Sequence, residues 1–209
     1  SACPLVAGIV ALMLESNQNL TWRDVQHILA QTAQKNDPAD SGWFTNAAGH
    51  NFNFNYGFGR VDAGAAVEAA ASWENMPESA EPLQASQWVN TQIPDNSETG
   101  VTAAISLTAP ERFTIEHVEV VVDINHAYRG DLAIDLIAPS GTRSVLAESR
   151  GDSNSDYSFW TFTTLADWGE DANGTWQLKI RDLAAVDIGE LKWWQITAYG
   201  YIADPIPDA

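Results

Sequence analysis

The chain has 209 residues, of which 45% are hydrophobic, and this is enough to build packed cores in one large domain or two smaller ones. Its 28 acidic residues against 10 basic ones give a formal net charge of -18, which repels nucleic acids and anionic lipid surfaces. We therefore exclude a nucleic-acid-binding protein. A membrane span is also excluded, because the longest apolar run, residues 5–14, is about half the ~20 residues that a spanning helix needs.

The chain is predicted to begin with a helix that is apolar on all sides. Residues 5–14 are almost entirely apolar, and Pro4 occupies a position that the first turn of a helix tolerates. A helix without a polar face must be enclosed by protein, and residues 1–82 offer too few side chains to enclose it. We therefore expect further protein upstream. The single cysteine, Cys3, has no disulfide partner in this chain, which leaves an upstream cysteine as the alternative to a free thiol.

A second helix is predicted over residues 22–33. Thr21 and Asp24 have the spacing of a capping box, in which the hydroxyl accepts a hydrogen bond from a free backbone amide. Val25, Ile28 and Leu29 recur at helical spacing and predict one buried face. The opposite, exposed face is expected to carry Arg23, Gln26 and Gln31.

A third helix follows a loop rich in glycine, asparagine and aromatic residues, residues 36–55. We expect Asp62 to be its N-cap and the helix to end near Trp73. Residues 74–82 then contain two prolines and three glutamates, a composition typical of a solvated linker. This linker is predicted to end a first domain over residues 1–82.

A second domain is predicted over residues 83–203, ahead of a C-terminal tail at 204–209. Short runs rich in Val, Ile, Thr and aromatic residues alternate with Gly, Pro, Asn and Asp, which is the pattern of an all-β sandwich. Hairpin turns are predicted at residues 139–142 and 173–174. The predicted strands are residues 105–107, 117–123, 132–138, 143–147, 158–163, 175–182 and 190–201.

Four tryptophans of this second domain raise the question of carbohydrate stacking. Aromatic residues on the strands of a sandwich usually belong to the core or to a contact between domains, and we interpret these four in that way. They are Trp168, Trp176, Trp193 and Trp194.

The residues at the start of the chain carry a family resemblance. The segment ACPLVAG at residues 2–8 resembles the sequence that follows the nucleophile of subtilisin-like serine proteases, G-T-S-x-[SA]-x-P and then a buried helix. Fitting Ala2 and Pro4 to that pattern implies that the reactive serine immediately precedes Ser1. The rival alignment makes Ser1 itself the nucleophile, but it places Cys3 where serine or alanine is expected.

Further segments match one branch of this family in the same order. NLTWRDVQ at residues 19–26 and YGFGRVDA at 56–63 resemble the end of the catalytic domain in the kexin/furin branch. Residues 128–134, 138–144 and 168–176 resemble motifs of the P domain of proprotein convertases. The resemblance implies an α/β subtilisin-like remnant, namely the helical C-terminal part of the catalytic domain, followed by an all-β jelly-roll sandwich P domain.

A serine hydrolase also needs a histidine base, a carboxylate that orients it and oxyanion donors. The resemblance places the Asp, the His and the oxyanion Asn of the family upstream of Ser1, so this chain alone is expected to be inactive. Its four histidines match no catalytic position, and we interpret them as surface or hydrogen-bonded residues. They are His27, His50, His117 and His126.

Two acidic loops are candidates for calcium, a cation that prefers oxygen ligands. Residues 152–156 alternate like the first ligands of an EF-hand, but Tyr157 and Thr163 replace the glycine and the glutamate of that motif. The competing interpretation of both loops is solvated surface charge, and the family resemblance implies calcium mainly in the upstream catalytic domain. The candidate ligands are Asp152, Asn154 and Asp156 in the first loop and Asp167, Glu170 and Asp171 in the second.

The resemblance therefore implies a secreted kexin/furin-like serine endopeptidase that cleaves after basic residues, of which this chain holds the part after the catalytic serine. The implied partners are the upstream portion of the catalytic domain, which the P domain stabilises, and basic protein or peptide substrates. An extracellular location is expected, with transit through the periplasm if the organism is bacterial. The alternative is a non-enzymatic module that binds protein or glycan and carries a degenerate protease remnant.

Overall fold

The structure is a computed structural model that describes residues 2–202. The chain divides into two compact units, an N-terminal unit of residues 1–78 and a C-terminal unit of residues 79–209. The division falls within the linker predicted at residues 74–82. No helix of the described part combines the length and the hydropathy that a membrane crossing requires.

The N-terminal unit is built from three helices and a small hairpin. The helices are α1 (Ala2–Ser16), α2 (Trp22–Thr32) and α3 (Ala63–Ala71), and the hairpin pairs β1 (Phe44–Thr45) with β2 (Asn51–Phe52). Its buried core consists of Met13, Leu20, Ile28, Ala66 and Ala70. The alanines of α3 leave little side-chain volume between α3 and α1, which allows the two helices to approach closely. Within the described residues α1 remains largely uncovered, with Leu5 72% and Leu12 50% exposed.

Both predicted N-caps are confirmed. The Thr21 backbone N–H donates to Asp24 Oδ2 over 2.6 Å, and the Asp24 N–H donates back to Thr21 Oγ1 over 3.3 Å. At the start of α3, Asp62 Oδ1 accepts from the Ala65 N–H over 3.0 Å. These caps satisfy backbone amides that have no partner within the helix, which is why the two helices begin where they do.

Side chains in the first turn of α2 form hydrogen bonds with the segment that follows α3. The expectation that Arg23 lies on an exposed face is therefore wrong. Arg23, expected on the exposed face, is buried because its guanidinium donates to the carbonyl oxygen of Pro77. Beside it, Asp24 Oδ1 accepts from Trp73 Nε1 over 3.1 Å and from the Met76 N–H over 2.7 Å. Burial raises the pKa of Asp24, but the hydrogen bonds from Thr21, Met76 and Asn75 outweigh it and hold the pKa at about 2.

The C-terminal unit is a sandwich of two four-stranded antiparallel sheets. Their strand orders are β3-β10-β5-β8 and β4-β9-β6-β7, which is the arrangement of a jelly roll and confirms the predicted fold class. The strands are β3 (Leu83–Ile93), β4 (Ser97–Leu107), β5 (Phe113–Asn125), β6 (Leu132–Ile137), β7 (Arg143–Ala147), β8 (Tyr157–Thr164), β9 (Gly174–Asp182) and β10 (Gly189–Ile202). One hydrophobic cluster contains residues of both sheets, and its largest fully buried side chains are Trp176, Trp194, Tyr157 and Phe113.

Three elements of this unit differ from the sequence prediction. Strand β3 and the first half of β4 were not predicted. Strand β3 lies at the edge of its sheet and is rich in polar residues, so its sequence shows no clear alternation of apolar and polar side chains, and the one residue it buries is Ile93 at its end. The turn predicted at residues 139–142 is confirmed, with Gly141 at φ 92°. The hairpin predicted at residues 173–174 is wrong, because β8 and β9 lie in different sheets and Gly174 begins β9.

Candidate functional site

The site implied by the family resemblance lies at the start of α1. Helix α1 begins at Ala2, so its free backbone amides and the positive end of its dipole face the residues that precede it. Such an end stabilises negative charge that develops next to it. Ser1, the low-priority candidate for the nucleophile, lies outside the described residues.

The most enclosed histidine is His126 in the C-terminal unit, and its surroundings resemble part of a catalytic dyad. Its Nε2 lies 3.1 Å from Asp182 Oδ2, and both side chains are buried. Its Nδ1 lies 2.8 Å from the backbone oxygen of Tyr128. Because both ring nitrogens are engaged within the fold, His126 offers no free nitrogen to act as a general base.

Two of the other histidines, His50 and His117, contact aromatic rings. His50 contacts Phe58 edge to face at 6.1 Å between ring centroids, and burial, followed by the nearby His27, lowers its pKa. His117 stacks on Tyr199 at 4.3 Å, and burial lowers its pKa against the opposing effect of Glu119. No catalytic triad is therefore assembled around these histidines among residues 2–202.

The first acidic loop is occupied by internal hydrogen bonds. Asp152 Oδ2 accepts from Arg129 Nε over 2.8 Å and from Arg150 over 2.9 Å, and its Oδ1 accepts from the Asn154 side chain over 2.7 Å. The hydrogen bonds from Arg129 and Asn154 hold the pKa of Asp152 well below its ordinary range. Asp156 Oδ1 accepts from the His126 N–H over 2.8 Å. Both Asp152 oxygens and Asp156 Oδ1 are therefore engaged by donors within the fold.

The second acidic loop accepts hydrogen bonds from the β6–β7 hairpin. Glu170 accepts from Ser140 Oγ and from Thr142 Oγ1, each over 2.5 Å, and Asp167 Oδ2 accepts from Ser144 Oγ over 2.9 Å. Burial raises the pKa of Asp167 to about 7, and the nearby Glu170 adds to the increase.

Neither loop fits a calcium site. The third candidate of the second loop, Asp171, uses its Oδ1 to accept from Phe113 and Asn173 backbone amides. Across the described residues, no three His, Cys, Asp or Glu side chains form a group that could hold a metal ion. The hydroxyls that bind Glu170 and Asp167 are the partners that sequence reasoning missed, although Ser140, Thr142 and Ser144 lie within the same P-domain-like motif at 138–144.

Three of the four tryptophans are buried, as the core interpretation predicts. Trp168, Trp176 and Trp194 are buried in the sandwich. Trp193 instead lies on the outer face of its sheet, where it contacts Trp88 and Phe159. The alternation of β10 alone does not reveal this, because a register shift between Leu191 and Trp193 changes which side chains face outward.

Comparison with known proteins identifies both units. Residues 1–59 match the model of the subtilase family, and residues 115–198 match that of the proprotein convertase P-domain. A PC3-like endoprotease of Hydra vulgaris is 42% identical over 187 residues, which cover 87% of this chain and 26% of the relative. Protease KEX1 of Kluyveromyces lactis is 37% identical over 98% of this chain and 28% of its own length. Human proprotein convertase subtilisin/kexin type 6 is 40% identical over an alignment that covers 98% of this chain and 22% of the human protein.

The solved structures agree on the fold. The serine protease of Aeromonas sobria, in complex with its chaperone, superposes with a TM-score of 0.85 at 23% identity, covering 94% of this chain and 43% of that chain. At this identity the likeness shows the fold alone. The chain spans about a quarter of the length of the curated relatives described above.

Proposed function

Because the chain belongs to the proprotein convertase branch of the subtilase family, we propose that it is the C-terminal part of a secreted serine endopeptidase that cleaves after basic residues. The observation that carries this proposal is the order of the two matches: the end of a subtilase domain at residues 1–59 is followed in the same chain by a P domain at 115–198. A degenerate remnant attached to a binding module finds no support in these relatives.

In the proposed mechanism the nucleophile is the serine immediately before Ser1. Its hydroxyl attacks the peptide carbonyl while an upstream histidine accepts the proton and an upstream aspartate orients that histidine. The amides at the start of α1 lie next to the developing oxyanion and stabilise it. The net charge of -18 attracts basic substrates at long range, which raises the rate of encounter.

The P domain is proposed to stabilise the catalytic domain. Large apolar side chains remain uncovered in both units, including Leu5 and Trp22, which are 72% and 69% exposed, and Val186, which is 86% exposed. Apolar surface of this kind marks contacts with further protein. A polypeptide that ends at Pro82 should therefore not be secreted as active enzyme, and an active truncation of unchanged heat stability would contradict this role.

The experiment that tests the proposed function uses the whole polypeptide that contains this chain. It is treated with a fluorophosphonate, digested and analysed by mass spectrometry, and one label is expected on the serine immediately before Ser1. Hydrolysis is then measured with two matched fluorogenic peptides, one with paired arginines and one with paired glutamines before the scissile bond. An unlabelled protein, or equal hydrolysis of both peptides, would reject the activity or the specificity, respectively.

A further inference from the structure

The outer face of the sheet β3-β10-β5-β8 carries aromatic side chains that the core does not use. Trp88 on β3 is 67% exposed and Phe159 on β8 is 59% exposed, and Trp193 on β10 contacts both. The ring centroids of Trp88 and Trp193 are 6.5 Å apart, and those of Trp193 and Phe159 are 5.5 Å apart. We call these three residues the aromatic row. Contiguous exposed rings of this kind mark a binding surface rather than ordinary surface composition.

The backbone of this sheet is distorted at the aromatic row. Strand β10 shifts register between Leu191 and Trp193 against both of its neighbours. Phe159 adopts φ 46°, a left-handed conformation that is strained for an aromatic residue, and β5 and β8 shift register beside it. Strain at exposed residues that add nothing to the core points to a function for their placement.

A polar depression lies on the same face, next to the aromatic row. Its cavity volume is about 620 Å³, within the range of sites for small ligands. Gln92 and Glu190 are cross-strand partners that adjoin the buried Ile93 and Leu191, so both face outward like Trp88. Glu190 also pairs with Asn125 of β5, and Asn90 lines the depression as well. Asp156 also lines the depression, and no lysine or arginine is among its described lining residues.

From this combination we propose that the outer face of this sheet binds a neutral polysaccharide. The C–H faces of sugar rings pack on the exposed surfaces of the aromatic row, whose neighbouring rings are tilted by 53° to each other. Side-chain amides both donate and accept hydrogen bonds and carboxylates accept them, so Asn90, Gln92, Asn125 and Glu190 match the hydroxyls at the edge of a sugar.

Charge complementarity selects a neutral ligand. Glu190 and Asp156 in the depression, together with the net charge of -18, repel uronic acids and sulfated sugars. Side-chain amides border the aromatic row, and Asp123 pairs directly with Trp193, so polar groups that can bind hydroxyls flank the exposed rings. The inference concerns the P domain itself and does not depend on the proposed protease activity.

The test is affinity electrophoresis of the full 209-residue chain in native gels. The gels contain hydroxyethylcellulose, laminarin, galactomannan or xyloglucan as neutral polymers, and alginate as the anionic comparison. At least one neutral polymer should retard the wild-type chain, and alginate should not. Trp88→Ala and Phe159→Ala should each weaken the retardation at least tenfold. Trp22→Ala is the matched control, because Trp22 is 69% exposed but belongs to the N-terminal unit, and it should leave the retardation unchanged.

Several outcomes would overturn the proposal. These are the absence of retardation by every neutral polymer, equal weakening by Trp22→Ala and Trp88→Ala, and stronger retardation by alginate. Sedimentation velocity tests whether a second copy of the chain covers the aromatic row. If wild-type chains associate and Trp88→Ala abolishes the association, the row is an interface between copies, and the proposal is wrong. The urea midpoint of each variant must equal that of the wild type, so that a loss of binding reports the surface and not the fold.

Discussion

Replacing Asp167 with asparagine should stabilise the P domain at alkaline pH and not at acidic pH. Burial raises the pKa of Asp167 to about 7 in the folded chain, against an ordinary value of 3.8, and Glu170 nearby adds to the increase. The unfolded chain therefore releases this proton more readily than the folded one. Stability falls as pH rises from about 4 to 7, and above pH 7 the full penalty is present.

The size of the effect follows from the same values. The difference between 3.8 and about 7 corresponds to roughly 4 kcal/mol of cost for ionised Asp167 at pH 8. Asparagine removes this cost and can still accept the hydrogen bond from Ser144. Its amide would occupy the position of Asp167 Oδ1, which has no hydrogen-bond partner among the described residues, and an unpaired amide costs about 1–3 kcal/mol. The net gain at pH 8 is therefore about 1–3 kcal/mol.

The assay is urea unfolding followed by near-ultraviolet circular dichroism at pH 5, 6, 7 and 8. Trp168 and Trp176 are buried in this domain and report its tertiary packing. The gain of Asp167→Asn should be largest at pH 8 and absent or reversed at pH 5, where Asp167 is protonated. Glu111→Gln removes an exposed carboxyl of the same domain and should stay within about 0.5 kcal/mol of wild type throughout. A difference for Asp167→Asn that does not vary with pH would refute the reasoning.

Three further predictions concern other parts of the chain. Asp24→Asn should lower the free energy of unfolding by about 2 kcal/mol at pH 6 and by progressively less towards pH 2. The lowered pKa of Asp24 stabilises the fold above pH 3.8, and this contribution is lost as pH falls to about 2. Urea unfolding at pH 6 and at pH 2 measures the effect, and a cost that does not vary with pH would contradict it. Gly200→Ala should lower the free energy of unfolding by at least about 3 kcal/mol in urea, since the new Cβ would lie 1.9 Å from the Thr114 carbonyl oxygen. Its control is Gly151→Ala, whose Cβ meets no atom within 4 Å, so this variant should unfold at nearly the wild-type urea concentration. Dialysed 209-residue chain should retain no stoichiometric calcium by elemental mass spectrometry, because its acidic loops bind internal donors, and one retained ion per chain would contradict this.

Features that depend on nearby residues were predictable from the sequence. Thr21 and Asp24 cap α2 from three positions apart, and Asp62 caps α3 in the same local way. The turn at residues 139–142 likewise depends on its own glycine and proline. These features can be predicted from sequence because the interacting residues lie only a few positions apart in the chain.

Features that depend on distant partners were not predictable. Arg23 is buried because Pro77, far along the chain, supplies its acceptor. Strand β3 is held by pairing with β10 and has too few apolar residues to be recognised alone. For the candidate site, motif resemblance identified the family, but the hydroxyls that engage Asp167 and Glu170 became visible only when the hairpin was placed beside them.

The position of β10 has a consequence for the synthesis of the protein. This 14-residue strand is the last one in the described part of the chain, yet it lies between the first strand of the jelly roll, β3, and β5. As the chain leaves the ribosome from its N-terminus, β3 has no partner and β5 keeps an open edge until β10 emerges. During synthesis this sheet therefore stays incomplete until β10 has been translated, and the domain can fold only in polypeptides that contain this strand.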